Sequence, residues 1–225
     1  MKARPIPVVA PAPYNWTGFY LGFQSGGSIA EVEWDFLPPG PPFSDHKASG
    51  GLIGGTIGFN YQVASWVWGI EADYAYASIR GSINCPNNIF RCESELESFG
   101  TVRGRLGYAV GPMLFYATGG AAFGHLEFST DNLAGIPTAP SGNRRNSVSD
   151  SQWGWTAGVG FEYAAMSTPL TWKIEWLYYD LGDERYGNLG GGDFADIHFR
   201  GNLIRTGLNY RFNWAAPGAA VVARY

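Results

Sequence analysis

Large apolar residues recur at every second position through most of the chain. In the last such run Ile204, Thr206, Leu208, Tyr210 and Phe212 alternate with Arg205, Gly207, Asn209 and Arg211. A helix would scatter those arginines around its circumference, whereas an extended strand puts them on one face. The same period appears in Thr17, Phe19, Leu21 and Phe23 against Gly18, Tyr20, Gly22 and Gln24. It recurs in Ile53, Gly55, Ile57, Phe59 and Tyr61 against Gly54, Thr56, Gly58 and Asn60. Trp68, Ile70, Ala72, Tyr74 and Tyr76 oppose Gly69, Glu71, Asp73 and Ala75; Val102, Leu106 and Tyr108 oppose Thr101, Arg103, Arg105 and Gly107. Further runs set Trp155, Ala157, Val159, Phe161 and Tyr163 against Thr156, Gly158, Gly160 and Glu162. Another sets Trp172, Ile174, Trp176 and Tyr178 against Lys173, Glu175, Leu177 and Tyr179. With a run from Leu114 to Phe128 that is apolar on both faces, the pattern predicts eight strands, each of roughly ten to twelve residues.

Leu106 to Gly124 carries no charge and is nominally long enough to cross a bilayer as a helix. Val110-Gly111-Pro112-Met113 reads instead as a tight turn between two strands. Connections alternate between short (Gln62–Ser65, Val110–Pro112, Ala164–Pro169) and long (Glu31–Ser49, Gly81–Glu95, Thr130–Ser149, Gly182–Asp196). The reading is therefore all-β: an eight-stranded antiparallel up-and-down transmembrane β-barrel with short periplasmic turns and long extracellular loops.

The alternative is a soluble barrel with a greasy interior. An eight-stranded barrel has room only to pack side chains, and the apolar face carries too many large rings to enclose. Those rings must face lipid, and the charges must face the lumen. Near the short-turn ends, Trp16, Tyr61, Trp66, Trp68, Tyr108, Tyr116, Tyr163, Trp172, Phe212 and Trp214 are expected to form an interfacial girdle. Composition agrees: 16% of residues are aromatic and 32 are glycine, while only 15% are charged. The net charge of −4 with no basic block argues against a nucleic-acid partner.

The lumen-facing charges are then Glu71, Asp73, Glu162 and Glu175 with Arg103, Arg105, Lys173, Arg205 and Arg211. Opposite charges so crowded should pair and fill the cylinder, leaving little conductance. The register is well determined, because a one-residue slip of the last strand would turn Arg205 toward lipid.

Tyr14-Asn15-Trp16-Thr17-Gly18-Phe19-Tyr20-Leu21-Gly22 and the closing run from Leu203 to Phe212 carry a further signal. With Gly104-Arg105-Leu106-Gly107-Tyr108 and Gly154-Trp155-Thr156-Ala157-Gly158, they resemble the porin-like outer-membrane immunogenic proteins of alpha-proteobacteria, which have OmpA-type barrels. The resemblance covers about Tyr14 to Phe212 and excludes the loops. It implies the outer membrane, with outer-membrane lipid, lipopolysaccharide and the barrel-assembly machinery as partners. The long loops offer room for an extracellular ligand and the termini for a periplasmic partner. A narrow porin-like channel is the alternative function. Family members usually stop at the aromatic that ends the last strand, whereas here Asn213–Tyr225 follow Phe212.

Residues 1–14 are expected to be a Pro-rich periplasmic segment, 15–212 the barrel and 213–225 a periplasmic tail. Met1-Lys2 leads into prolines without an apolar h-region, so an exported form would have lost its signal or carried it upstream. Cys85 and Cys92 are expected to form a disulfide pinning the second long loop in an oxidising compartment.

No enzyme, cofactor or metal is expected. Glu71 and Asp73 form a carboxylate pair, but bases in neighbouring strands make it structural wiring. His46, His125 and His198 show no zinc spacing. His125 and Ser129 approach the spacing of a lipid hydrolase without its motif. The resemblance also implies haem as a weak candidate at His46, beside Trp34, Phe36 and Phe43. An aromatic loop packed on the rim is the commoner arrangement.

Overall fold

The alternation becomes the wall of a barrel. The computed structural model describes residues 14–36, 44–84, 90–132, 145–165, 168–187 and 194–212. Its strands are β1 (Gly18–Phe36), β2 (Ser44–Val63), β3 (Trp66–Asn84), β4 (Phe90–Val110), β5 (Met113–Asn132), β6 (Arg145–Ala164), β7 (Leu170–Gly187) and β8 (Phe194–Phe212). Each pairs antiparallel with its neighbour in sequence, and β8 closes the cylinder on β1, with Phe23 opposite Leu208. Leu106–Gly124 is a β4–β5 hairpin, and among the described residues no helix is long and apolar enough to cross a membrane. Its turn residue Gly111 has φ 58°, a left-handed conformation suited to a two-residue hairpin loop.

Sidedness follows the sequence pattern. Trp155, Trp172 and Trp176 are 52%, 43% and 43% exposed on the outer wall, while Arg205 is 2% exposed inside. The cost of arginine against hydrocarbon fixes this choice of face, and every residue of the strand follows.

Strand length departs from expectation. The strands run 18 to 21 residues, so most of each expected long loop except Thr130–Ser149 is itself strand. The reason is an inversion of polarity along the wall. In the lower part, toward the short turns, apolar residues point out and charges point in. Higher up, Glu31, Glu33, Lys47, Arg80, Glu95 and Glu127 lie on the outer face, and Ala30, Val32, Ala48, Ile79, Leu126 and Phe128 are buried inside. The period of two persists, but its greasy face switches sides where the wall leaves hydrocarbon.

The lumen is therefore layered, where a wholly polar interior was expected. A small cluster of Trp16, Val67, Ala109, Leu114, Tyr116 and Ala164, with Tyr14 against it, closes the short-turn end. A charged layer lies above it. A larger apolar core, including Leu96, Phe99, Leu126, Phe128, Tyr179 and Phe199, fills the upper cylinder.

One seam is incomplete. The β6–β7 ladder stops at Trp155 opposite Asp180, although both strands continue upward. At Gly182, with φ 77°, and the adjacent bulge between Asp180 and Asp183, β7 turns away from β6. Carboxylates take up amides beside the gap: Gly182 N–H donates to Asp180 Oδ1 at 2.9 Å, and Ser151 N–H to Asp150 Oδ1 at 2.7 Å. Such self-capping blunts an edge that would otherwise recruit another strand.

Candidate functional site

The charged layer brings together side chains from seven strands, all but β2. Glu71, on β3, accepts from Arg103 Nη2, from Arg105 Nη1 at 3.3 Å and from Lys173 Nζ at 3.0 Å. Tyr20 on β1 donates its hydroxyl to the same carboxylate at 2.7 Å. Asp73 lies two residues on, so it shares the face of Glu71. Arg205, on β8, grips it bidentately, Nη1 to Oδ1 and Nη2 to Oδ2 at 3.0 Å each, and Thr101 donates to Oδ2 at 2.6 Å. Glu175, on β7, accepts from Arg205 Nε at 2.7 Å, Arg103 Nη1 at 3.4 Å and the Tyr116 hydroxyl at 2.8 Å. Glu162, on β6, accepts from Arg105 Nη2 at 2.7 Å, Asn209 Nδ2 at 3.0 Å and the Thr171 hydroxyl.

Glu71, Asp73, Glu162 and Glu175 thus face Arg103, Arg105, Lys173 and Arg205, four acids against four bases, all buried. Buried ions are tolerated only when paired and hydrogen-bonded, which this lattice achieves. Glycines make room for its aromatic members. A methyl added at Gly58 would meet the Tyr20 ring at 2.3 Å, and one at Gly160 the Tyr116 ring at 2.3 Å. The Arg105 guanidinium stacks on the Tyr116 ring, 3.8 Å from its centroid.

Arg211, expected among these charges, is elsewhere. It lies at the short-turn end, where its guanidinium contacts the Tyr14 hydroxyl, the Asn15 carbonyl at 2.9 Å and the face of Trp16. Six residues separate it from Arg205 along the strand, about 20 Å at the rise of a β-strand, which carries it past the layer.

Two expected girdle residues point inward. Trp16 is fully buried because residues 14–17 pack across the barrel mouth, the Trp16 backbone N–H donating to Gln62 Oε1 at 2.6 Å. Tyr116 faces the lumen because β5 carries its inward face at Leu114, Tyr116 and Thr118, a phase masked by apolar residues on both sides. Tyr61, Trp66, Trp68, Tyr108, Tyr163, Trp172 and Phe212 are exposed on the outer wall; Trp214 lies outside the described residues. An upper set of exposed rings, Tyr74, Tyr76, Trp153 and Trp155, was expected on the lipid-facing side, Trp153 apart, but was not singled out as a second girdle. The neutral donors Tyr20, Thr101, Thr171 and Asn209 were not singled out either; their one signal was a place on the polar face.

The remaining candidates are dispersed. His46 is buried, facing inward on β2, rather than presented on an outer loop; Phe43 and the side chains of Trp34 and Phe36 lie outside the described residues. His125 and Ser129 are four residues apart on one strand, about 13 Å at strand rise, too far for a nucleophile and its base. The His125 Nδ1 instead lies 3.2 Å from Ser151 Oγ. His198 Nδ1 lies 2.5 Å from Asp183 Oδ1 beside the β7 bulge. Among the described residues, no group of three or more His, Cys, Asp or Glu is arranged to hold a metal. Cys92 is buried and is not a free thiol; Cys85 lies outside the described residues, as do residues 1–13 and 213–225. Ion pairs on the outer rim, such as Arg185 with Asp196 at 2.8 Å, sit in water, and there Arg185 holds the Asp196 carboxyl below its usual range.

The sequence from residue 6 to 212 matches the family model described as outer membrane protein beta-barrel domain. Over 219 residues the chain is 33% identical to the 31 kDa outer-membrane immunogenic protein of Brucella melitensis, covering 92% of this chain and 88% of that protein. It is 29% identical over 200 residues to a 22 kDa outer membrane protein of Rhizobium leguminosarum, covering 88% and 79%. Among solved structures, the outer membrane protein OprG of Pseudomonas aeruginosa superposes with a TM-score of 0.57 at 13% identity, covering 88% of this chain and 98% of that one. That likeness concerns the fold alone. A closed barrel with rings on its outer wall and charges within, matched over nearly its whole length, places the chain in the outer membrane as a member of the outer membrane protein β-barrel family.

Proposed function

We propose that this protein is a structural, surface-exposed barrel of the outer membrane whose lumen is plugged, with no catalytic role. The observation that carries this reading is the balanced layer of four acids and four bases across the cylinder. Any permeating ion would have to break contacts that are each costly to leave unmade in a desolvated interior. The apolar core above and the Trp16–Tyr14 cluster below support it, because neither offers an ion an aqueous path.

The short turns face the periplasm in this reading, as in outer-membrane barrels generally, and the charged upper wall and longer loops face outward. Those loops are the antigenic surface, a role supported by the immunogenic relatives, and a Cys85–Cys92 bond pins the second of them. The partners are outer-membrane lipid and lipopolysaccharide around the wall and the barrel-assembly machinery during insertion.

Planar-bilayer recording tests the plug. The refolded protein should insert without discrete current steps at moderate voltage. Reproducible single-channel steps from the wild-type chain would replace this reading with that of a narrow channel.

A further inference from the structure

The outer wall carries a cleft at the level where its polarity inverts. It has a volume of about 480 Å³, and its lining is divided by height. The lower part is a strip of rings, with Tyr74 and Trp153 exposed and Phe123 half-buried between them: Tyr74 stacks with Phe123 at 6.2 Å and 22° between planes, and Phe123 meets Trp153 at 5.2 Å and 37°. The Phe123 ring lies over β4 at Gly100, where an added methyl would come within 2.2 Å of it. The upper part is polar. His125 lies 3.2 Å from Ser151 Oγ through Nδ1 and 3.9 Å from Glu97 Oε2 through Nε2. Glu97 is there because of a bulge: in the β4–β5 ladder Leu96 faces Leu126 and Ser98 faces His125, leaving Glu97 as the extra residue. Bulges re-aim side chains in this way. The Glu97 and His125 side chains remain 45% and 39% exposed.

From this we infer that the cleft is a binding site for the sugar ring of an outer-leaflet glycolipid, stacked on the Tyr74–Phe123–Trp153 strip with its hydroxyls bonded to Glu97, His125 and Ser151. Flat rings beside a carboxylate, an imidazole and a hydroxyl suit a sugar, which has apolar faces and a polar edge. The cleft is continuous below with the lipid-facing wall, so a molecule with acyl chains under a sugar matches it in both halves. Charge narrows the class further. Glu97 is a carboxylate in a lining that holds no lysine or arginine, so the cleft accepts hydroxyl donors and disfavours phosphate, while Glu95 just above it, opposite Glu127, is balanced by Arg80 at 2.6 Å. The inference rests on the outward orientation of this end proposed above.

Native mass spectrometry of the refolded full chain in detergent tests it, with rough lipopolysaccharide, its dephosphorylated form and phosphatidylglycerol as probes. The wild type should retain the two glycolipids in preference to phosphatidylglycerol, the dephosphorylated form at least as well. Replacing the strip (Tyr74→Leu with Trp153→Leu) or the polar edge (Glu97→Gln with His125→Ala) should each lower retention roughly tenfold. The lipid-facing Tyr210→Leu variant should retain both glycolipids. Heat-modifiable gel mobility confirms that each variant is folded. Equal retention by all folded variants, equal retention of phosphatidylglycerol, or retention of the phosphorylated form alone would overturn the assignment. Binding in detergent depends neither on conductance nor on orientation, so its failure leaves the plugged reading standing, and current steps would leave this site standing.

Discussion

Arg205 spans the charged layer: its two terminal nitrogens hold Asp73 and its Nε holds Glu175. Arg205→Ala would leave both carboxylates buried beside a void. Breaking one side of such a lattice costs about 3–5 kcal/mol, so the denaturant midpoint of the barrel in vesicles should fall accordingly. Arg205→Lys should recover only part of it, since an ammonium cannot make the bidentate grip. Asp73→Leu combined with Arg205→Met should be less destabilised than Arg205→Ala, because it removes charges in opposite pairs. If Arg205→Ala unfolded at the wild-type midpoint, the layer would be a bystander to stability. Most of these residues were legible beforehand, since lysine, arginine and glutamate at alternate positions can only share a face. Tyr116 was not, because in a strand apolar on both sides nothing marks which face is inward. Arg211 was legible as inward but not as separate: alternation gives the face, while height along the barrel depends on the pairing register.

At the scale of elements, strand number and order followed from the period of two, but strand ends did not. The expected loop Gly81–Glu95 contains the end of β3 and the start of β4, paired from Ile79 with Leu96 up to Asn84 with Arg91. Lipid-facing alternation stops there, so a search for greasy outer faces ends too early. The hairpin goes on because its inward side, with Ile79, Cys92 and Leu96, packs on the upper core. Closing the loop by a Cys85–Cys92 bond would add about 2–3 kcal/mol by restricting the unfolded chain. Reduction, or Cys85→Ser with Cys92→Ser, should therefore lower the unfolding midpoint to a common value while leaving the barrel folded. Uptake of a thiol reagent by the unreduced wild type after unfolding would show that the bond is absent.

For the whole molecule, the inversion of polarity sets where the bilayer must lie. Below it, an apolar outer wall over a charged interior is stable only in hydrocarbon; above it, a charged wall over an apolar interior is stable only in water. Two exposed aromatic sets bracket the lower zone: Trp66, Trp68 and Trp172 near the short turns, and Tyr74, Tyr76 and Trp153 below the charged wall. Trp176 lies between them, paired with Ile204 and Val159. This places a ruler in the membrane. In variants that keep one outer tryptophan and carry phenylalanine at the others, lipids brominated deep in the acyl chain should quench Trp176 most. Trp66 and Trp153 should be quenched more by bromines nearer the headgroup. The two interfacial residues should respond alike although they sit at opposite ends of the belt, since each is one boundary of the same slab. Quenching of Trp153 as deep as that of Trp176 would move the bilayer up over Glu97 and Glu127, where the carboxylates of the outer wall would have no water to face.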